Sequence, residues 1–191
     1  MADDVRQEIL LAARHLFAYR GFGSTSVRSV VERAGVTKPT LYYYFENKEA
    51  LYLECVQSTF AELVPLVEAA LTGPGDIRER LQRFTHDYVQ KGLEDLDGVR
   101  LALTATNPGI ENRPEIDLMS FHIKYFGPLE ALFAEGIESG VFRDDIDPGI
   151  AVIGLIGPIS MHLRGAIEGL PLPDNYAVRI VDIYLNGVSP Q

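Results

Sequence analysis

The sequence predicts an all-α protein, and three observations carry that prediction. Apolar residues recur at three- and four-residue spacings along nearly the whole chain, no segment alternates apolar and polar residues as a half-buried strand does, and capping residues, glycines and prolines fall where helices would begin and end. With 191 residues, 47% of them apolar and 23% charged, the chain can bury a core in one large domain or two small ones. The pattern divides into a three-helix head over residues 1–47 and a six-helix bundle over residues 48–191, about nine helices in all.

The first helix places Ile9, Ala13, Leu16 and Phe17 on one side, opens on a capping box at Asp4 and Gln7, and ends at Gly21 and Gly23. In the second, Val27, Val30, Val31 and Ala34 form an apolar stripe, Thr25 or Ser26 caps it, and Gly35 breaks it. A short third helix runs from about Lys38 to Phe45, with Leu41, Tyr44 and Phe45 on its inner side. The fourth starts after Asn47, a good N-cap, and runs to about Leu71 with a disturbance at Pro65, which has no N–H to donate. The loop Thr72-Gly73-Pro74-Gly75 follows, then a helix carrying Ile77, Leu81, Phe84 and Tyr88. Val99 to Thr106 reads as a short helix stopped by Asn107-Pro108-Gly109, and Pro114 to about Ser139 as a long one kinked at Gly127-Pro128. Asp147-Pro148 starts the next, which reaches about Glu168, and Asp174 or Asn175 caps a last helix ending near Asn186-Gly187.

Composition excludes several functions. The start, MADDVRQEILLAARHLF, is acidic and periodic rather than basic, apolar and cleavable, so a secretory signal is not expected. The longest uncharged apolar stretch, Ile150 to Leu163, is 14 residues, short of the roughly 20 a membrane span needs. The single cysteine, Cys55, forbids an intrachain disulfide and suits a reducing compartment, so the protein is expected in the cytoplasm. No Gly-rich phosphate loop, nucleophile elbow or paired metal-ligand spacing appears, so no catalytic residue, metal or cofactor is assigned and the chain is not expected to be an enzyme.

The charge is uneven in a telling way. The net charge is −10, yet residues 20–48 hold Arg20, Arg28, Arg33, Lys38 and Lys48 against only Glu32 and Glu46. A phosphate backbone responds to that local field, within about a Debye length. The second and third helices, joined by a tight turn at Gly35, have the layout of a helix-turn-helix. With Leu41 facing inward, Pro39, Thr40, Tyr42 and Tyr43 face outward and Lys38 lies at the border. Three consecutive tyrosines span roughly 200° of a helix, so they cannot all be core. Thr40 can bond a phosphate or a base, Pro39 can touch a thymine methyl, and tyrosine hydroxyls can donate to phosphate.

The run TSVRSVVERAGVTKPTLYYYFENKEAL, with ILLAARHLFAYRGF before it, resembles the N-terminal domain of the tetracycline-repressor (TetR) family over about residues 5–55. The resemblance implies a homodimeric transcription regulator that binds double-stranded DNA at a near-palindromic operator and is released by a small molecule. It implies that Thr25 and Ser26 offer hydroxyl or N–H groups to phosphate, that Arg28 reaches a phosphate or guanine, that Lys38, Pro39, Thr40 and Tyr43 face bases or nearby backbone, and that Tyr42 and Lys48 clamp phosphates.

The C-terminal helices suggest the rest. Aromatic residues with few polar companions predict an apolar cavity lined from Phe84, Tyr88, Thr104, Phe121, His122 and Tyr125, suited to an apolar or aromatic effector. The segment IAVIGLIGPISMHLRGAIEGL is apolar all round and needs cover on every side. Gly154 and Gly157 each cost about 1 kcal/mol in a helix relative to Ala, which close approach at a subunit contact offsets. Gly154, Gly157, Met161, Val181 and Tyr184 are therefore expected at a dimer interface. Two alternatives compete: the same fold controlled by a protein partner, and a helical enzyme carrying the head as an appendage. An apolar cavity argues against the first, and paired acid and base groups in a pocket would favour the second.

Overall fold

The computed structural model describes residues 2–107 and 112–188, and every regular element among them is helical. In chain order these are α1 (Ala2–Ser24), α2 (Val27–Ala34), α3 (Lys38–Tyr44), α4 (Lys48–Ala61), α5 (Val64–Thr72), α6 (Ile77–Glu94), α7 (Leu96–Ala105), α8 (Leu118–Tyr125), α9 (Gly127–Glu138), α10 (Pro148–Ile167) and α11 (Tyr176–Val188). The two helices beyond the expected count come from prolines. Pro65 and Pro128 do not bend long helices; each stands in the first turn of a new one, where its missing N–H has no helical partner to lose. Pro158 by contrast stays inside α10. Other boundaries also move: α1 begins at Ala2, ahead of the expected capping box, and α7 begins three residues early because Asp95 caps it, accepting from Gly98 N at 3.0 Å. Of the expected stop after α7, Pro108 and Gly109 lie outside the described residues.

The helices form two compact units. The first comprises Met1–Ala61 and Asp95–Asp117, and so holds α1 to α4 and α7. The expected division at residue 47 follows the end of the helix-turn-helix, whereas packing carries α4 and α7 with the head. The reason is burial: Leu51, Tyr52 and Cys55 of α4 and Leu101 and Ala105 of α7 share a core with Ile9, Ala13, Leu16 and Phe17 of α1. Tyr52 sets its ring edge-on to both Phe17 and Phe22, at 5.1 and 5.2 Å. The α1–α7 seam adds polar links, Arg14 to Asp95 at 2.9 Å and His15 Nδ1 to Asp97 at 2.7 Å. Burial pushes the Cys55 thiol up to about 12, so it is protonated and inert near neutral pH.

The second unit comprises Glu62–Glu94 and Leu118–Gln191. Its core runs through Leu81 and Phe84 of α6, Leu129, Leu132 and Phe133 of α9, Leu155 and Ile159 of α10 and Val181 of α11. One buried cation ties three helices together. Arg80 of α6 donates to Ala70 O and Leu71 O at the open end of α5 and to both carboxylate oxygens of Glu135 on α9, at 2.7 and 3.1 Å. The carbonyls left over at a helix terminus thereby gain donors. By length and composition alone the segment Lys48–Thr72, which α4 and α5 divide, and α10 could each cross a membrane; α10 qualifies with Arg164 inside it and runs close to the expected span.

Replacing Arg80 with Met would leave the Glu135 carboxylate and the α5 carbonyls without their donor. The expected loss is roughly 2–4 kcal/mol of stability, read as a lower urea midpoint. An unchanged midpoint would show that water replaces the guanidinium at no cost.

Candidate nucleic-acid interface

The exposed face of the first unit is built by caps. Ser26 begins α2 with a reciprocal box: its hydroxyl accepts from Ser29 N at 3.1 Å, and its own N–H donates to Ser29 Oγ at 3.2 Å. Gly35 ends α2 in the left-handed region (φ 66°, ψ 25°), which an L side chain enters only with strain, and Val36 N closes the turn onto Val31 O at 3.0 Å. Thr37 then caps α3, accepting from Thr40 N at 3.3 Å. A helix of seven residues is marginal alone. Leu41 and Phe45, with 0% and 3% of their surface exposed, hold it to the core.

That anchoring fixes what faces outward. Lys38, Pro39, Tyr42 and Tyr43 are exposed, Tyr43 by 81%, and Thr40 is half-buried with its hydroxyl 2.8 Å from that of Thr37. Tyr44 turns partly inward and meets Tyr43 edge-on at 4.9 Å. Arg28 is exposed on α2, its Nε donating to Glu32 Oε1 at 2.7 Å. Glu32, which sequence reasoning passed over, stands one turn beyond Arg28 at the spacing that pairs opposite charges on a helix.

Two of the expected DNA contacts are engaged inside the protein. Thr25 is 1% exposed; its hydroxyl donates to Leu16 O and Gly21 O, at 3.2 and 2.8 Å, and its N–H to Phe22 O at 3.3 Å. No donor of Thr25 is left for phosphate. Lys48 donates from Nζ to Phe22 O at 2.9 Å and Thr25 O at 3.0 Å, with the ammonium 4.0 Å from the Phe22 ring centroid. The cause lies in Gly21, whose backbone (φ 74°, ψ 170°) kinks α1 and leaves carbonyls beyond it in need of donors. The N–H of Ser26 is likewise held by Ser29, although its side chain remains exposed.

The residues expected to line an effector cavity separate. Thr104 belongs to the first unit, and its hydroxyl bonds Arg100 O and Leu101 O within α7, both at 2.9 Å. The others lie in the second unit. Phe84 stacks on Tyr88 at 5.8 Å and Phe121 lies 4.6 Å from Tyr125. His122 Nε2 sits 2.9 Å from Glu130 Oε1, which gives it a protein partner. Burial pushes the Tyr88 phenol up, while a hydrogen bond with Ser160 pulls it down.

Of the expected dimer residues, Gly154, Gly157 and Met161 are exposed, Tyr184 is half-buried and Val181 is buried. Val181 is wholly buried within its own unit. Gly154 makes room for Tyr184: a Cβ there would stand 3.1 Å from Tyr184 Cε2, and the Tyr184 hydroxyl donates to Ala151 O at 2.7 Å. Gly154 and Tyr184 thus join α10 to α11 within one chain. Gly157 and Met161 do lie on an open face of α10, with Ile150 and Ile153, two exposed apolar residues that sequence reasoning did not single out; Val178 and Ile183 of α11 are exposed as well. Their α10 members fall at spacings of three and four, a signal hidden because α10 is apolar on every side.

The family model for bacterial regulatory proteins of the tetR family matches residues 9–55, the span from α1 through the helix-turn-helix into α4. Residues 9–55 thus form a tetR-family DNA-binding domain. The HTH-type transcriptional regulator YdgC of Bacillus subtilis is 27% identical over 97% of this chain and 93% of its own length. A TetR family transcription regulator from Marinobacter aquaeolei superposes with a TM-score of 0.84 at 23% identity, covering 99% of this chain and 97% of that one. FadR from Bacillus subtilis, solved in complex with stearoyl-CoA, superposes with a TM-score of 0.77 at 19% identity, covering 96% of this chain and 99% of that one. With that domain, and with relatives that are HTH-type transcriptional regulators over nearly its whole length, the protein is a DNA-binding transcription regulator and not an enzyme.

Tyr42→Phe removes an exposed hydroxyl and Lys48→Met an internal clamp, so the two variants should part company. Tyr42→Phe should keep the thermal midpoint and weaken DNA binding roughly two- to tenfold. Lys48→Met should lose roughly 1.5–3 kcal/mol of stability, the usual range for hydrogen bonds to a charged group. Equal stability of Lys48→Met and wild type would return Lys48 to the DNA surface alone.

Proposed function

We propose that this regulator is a homodimeric repressor that holds a near-palindromic operator and releases it when a small molecule with an apolar body enters the helices beyond residue 47. The observation that carries the reading is the open face of α3: Lys38, Pro39, Thr40, Tyr42 and Tyr43 presented on a helix whose other side is locked in a core. Pro39, Thr40 and Tyr43 suit base edges, while Tyr42, Arg28 and Ser26 suit phosphate, Arg28 by exchanging Glu32 for it. The head over residues 1–47 is the DNA reader in this proposal, and residues 48–191 receive the effector and the second subunit. The place of action is the cytoplasm.

The dimer rests on α10 and α11. Ile150, Ile153 and Met161 lie along one stripe of α10 and are 62% to 70% exposed, and Ile183 of α11 is 68% exposed; exposed apolar residues grouped on a helix face mark a protein contact. The inner side of the same helix, through Val152, Leu155, Ile159 and Leu163, already packs into its own unit. Two-fold pairing through that face would set two α3 helices on one side of the duplex, roughly 34 Å apart. An effector that prefers another separation by 1–3 kcal/mol would change DNA affinity roughly 5–150-fold. For the effector class, the aromatic and aliphatic core of α6, α8 and α9 favours an apolar body, and the stearoyl chain that FadR from Bacillus subtilis holds is of that kind.

Three measurements test this. Selection from random duplexes should return two inverted half-sites about one helical turn apart; a single asymmetric site would contradict the dimer. Sedimentation should give a dimer at micromolar concentration, and the Ile153→Glu, Met161→Glu double variant should be a monomer; a monomeric wild type would contradict it as well. Stearoyl-CoA should release the operator from wild-type protein, and binding without release would leave a cavity but no inducer.

A further inference from the structure

Thr85 of α6 has none of its surface exposed, and its Oγ1 has no hydrogen-bond partner among the described residues. That is unusual for a helical threonine. The hydroxyl normally bonds the carbonyl one turn back, which removes the penalty of burying it. The helical threonines Thr59, Thr72 and Thr104 do this, to Cys55 O, Glu68 O and Arg100 O, each at 2.9 Å. Thr85 has Leu81 O at the same interval and leaves it alone. Val would fill nearly the same space with no hydroxyl to desolvate, so Thr at this position lowers the stability of the protein by itself.

The surroundings indicate what the hydroxyl would meet. Leu81 and Phe84 beside it are buried, and Tyr88 one turn on is half-buried with Ser160 as the hydrogen-bond partner of its phenol. The inner side of this stretch of α6 is thus apolar, with the Tyr88 hydroxyl satisfied and the Thr85 hydroxyl without a partner among the described residues. A site of that composition takes an apolar ligand and fixes its orientation with a single polar contact.

We propose that Thr85 is the polar anchor of the effector site, donating its hydroxyl to a carbonyl oxygen carried by an otherwise apolar chain. The proposal rests on the effector reading above and adds to it the group that recognises the ligand and the functional class recognised: an acyl derivative rather than a plain hydrocarbon.

The test uses the full-length protein, with stearoyl-CoA as probe and S-octadecyl-CoA as its counterpart lacking the carbonyl. Without probe, Thr85→Val should melt roughly 2–4 °C above wild type, since an unpaired buried group has gone. With stearoyl-CoA, Thr85→Val should bind roughly three- to tenfold more weakly by calorimetry, and Thr85→Ser, which keeps the hydroxyl, should bind within about twofold of wild type. Wild type should prefer the thioester to the thioether by the same factor, and Thr85→Val should not distinguish them. Equal affinity of wild type and Thr85→Val for stearoyl-CoA overturns the anchor while leaving the effector reading in place. A lower unliganded midpoint for Thr85→Val overturns it too, because the hydroxyl would then have a partner, such as a buried water. If wild type binds neither probe, the effector class fails and the anchor falls with it.

Discussion

The ammonium of Lys48 holds the DNA-binding unit in its shape. Gly21 turns the end of α1 out of line, and beyond it the carbonyl of Phe22 accepts from Thr25 N–H and, like the carbonyl of Thr25, from Lys48. Lys48, the first residue of α4, supplies two N–H groups to those carbonyls and sets its charge over the Phe22 ring. Three segments that are distant in sequence are joined at one atom: the end of α1, the approach to α2 and the start of α4. The recognition helix lies between the second and third of these in the chain and is too short to hold itself. Its orientation depends on the frame around it.

Thr25 completes that frame from the other side. Its hydroxyl bonds two carbonyls of α1, and its own carbonyl receives Lys48. The cap that remains for α2, Ser26, is left at the surface. Polar groups that a linear reading assigns to DNA therefore divide into those that build the platform and those that stand on it. The division follows burial: a hydroxyl or ammonium that satisfies a buried carbonyl is worth more to the fold than to a solvated phosphate contact. Arg28 stands at the other extreme. Its partner Glu32 is also exposed, so their ion pair is weak and readily exchanged for a phosphate.

The second unit solves a different problem. Its helices are more apolar than one chain can cover, and α10 is the extreme case. One side of it packs on α6, α9 and α11, with Gly154 admitting the Tyr184 ring and the phenol reaching Ala151 O. Burial pushes that phenol up to about 12, so it stays a donor across the physiological range. The side left open, from Ile150 to Met161, is the one proposed to meet a second copy. Inside the unit, Arg80 and Thr85 show two fates for a buried polar group on the same helix: the guanidinium satisfies carbonyls and a carboxylate, while the hydroxyl satisfies nothing.

Much of this was legible in the chain itself. Helical periodicity determined the fold class, because amphipathic spacing is a local property that survives without knowledge of neighbours. The turn at Gly35, the caps at Ser26, Asn47 and Asp147 and the inward Leu41 were readable for the same reason: each is a contact within a few residues. So was the outward face of α3, since a seven-residue helix with one anchored side leaves few choices. Tertiary structure decided what local pattern cannot. It made Pro65 and Pro128 start new helices yet kept Pro158 within one, where Leu155 and Ile159 are buried on either side of it. It buried Thr25, turned the Lys48 ammonium onto the carbonyls of Phe22 and Thr25, and turned Val181 inward while leaving Ile150 and Ile153 exposed. Whether a polar side chain faces water or an orphan carbonyl, and which side of an all-apolar helix is covered, depend on segments far away in sequence, and only the folded chain brings those segments together.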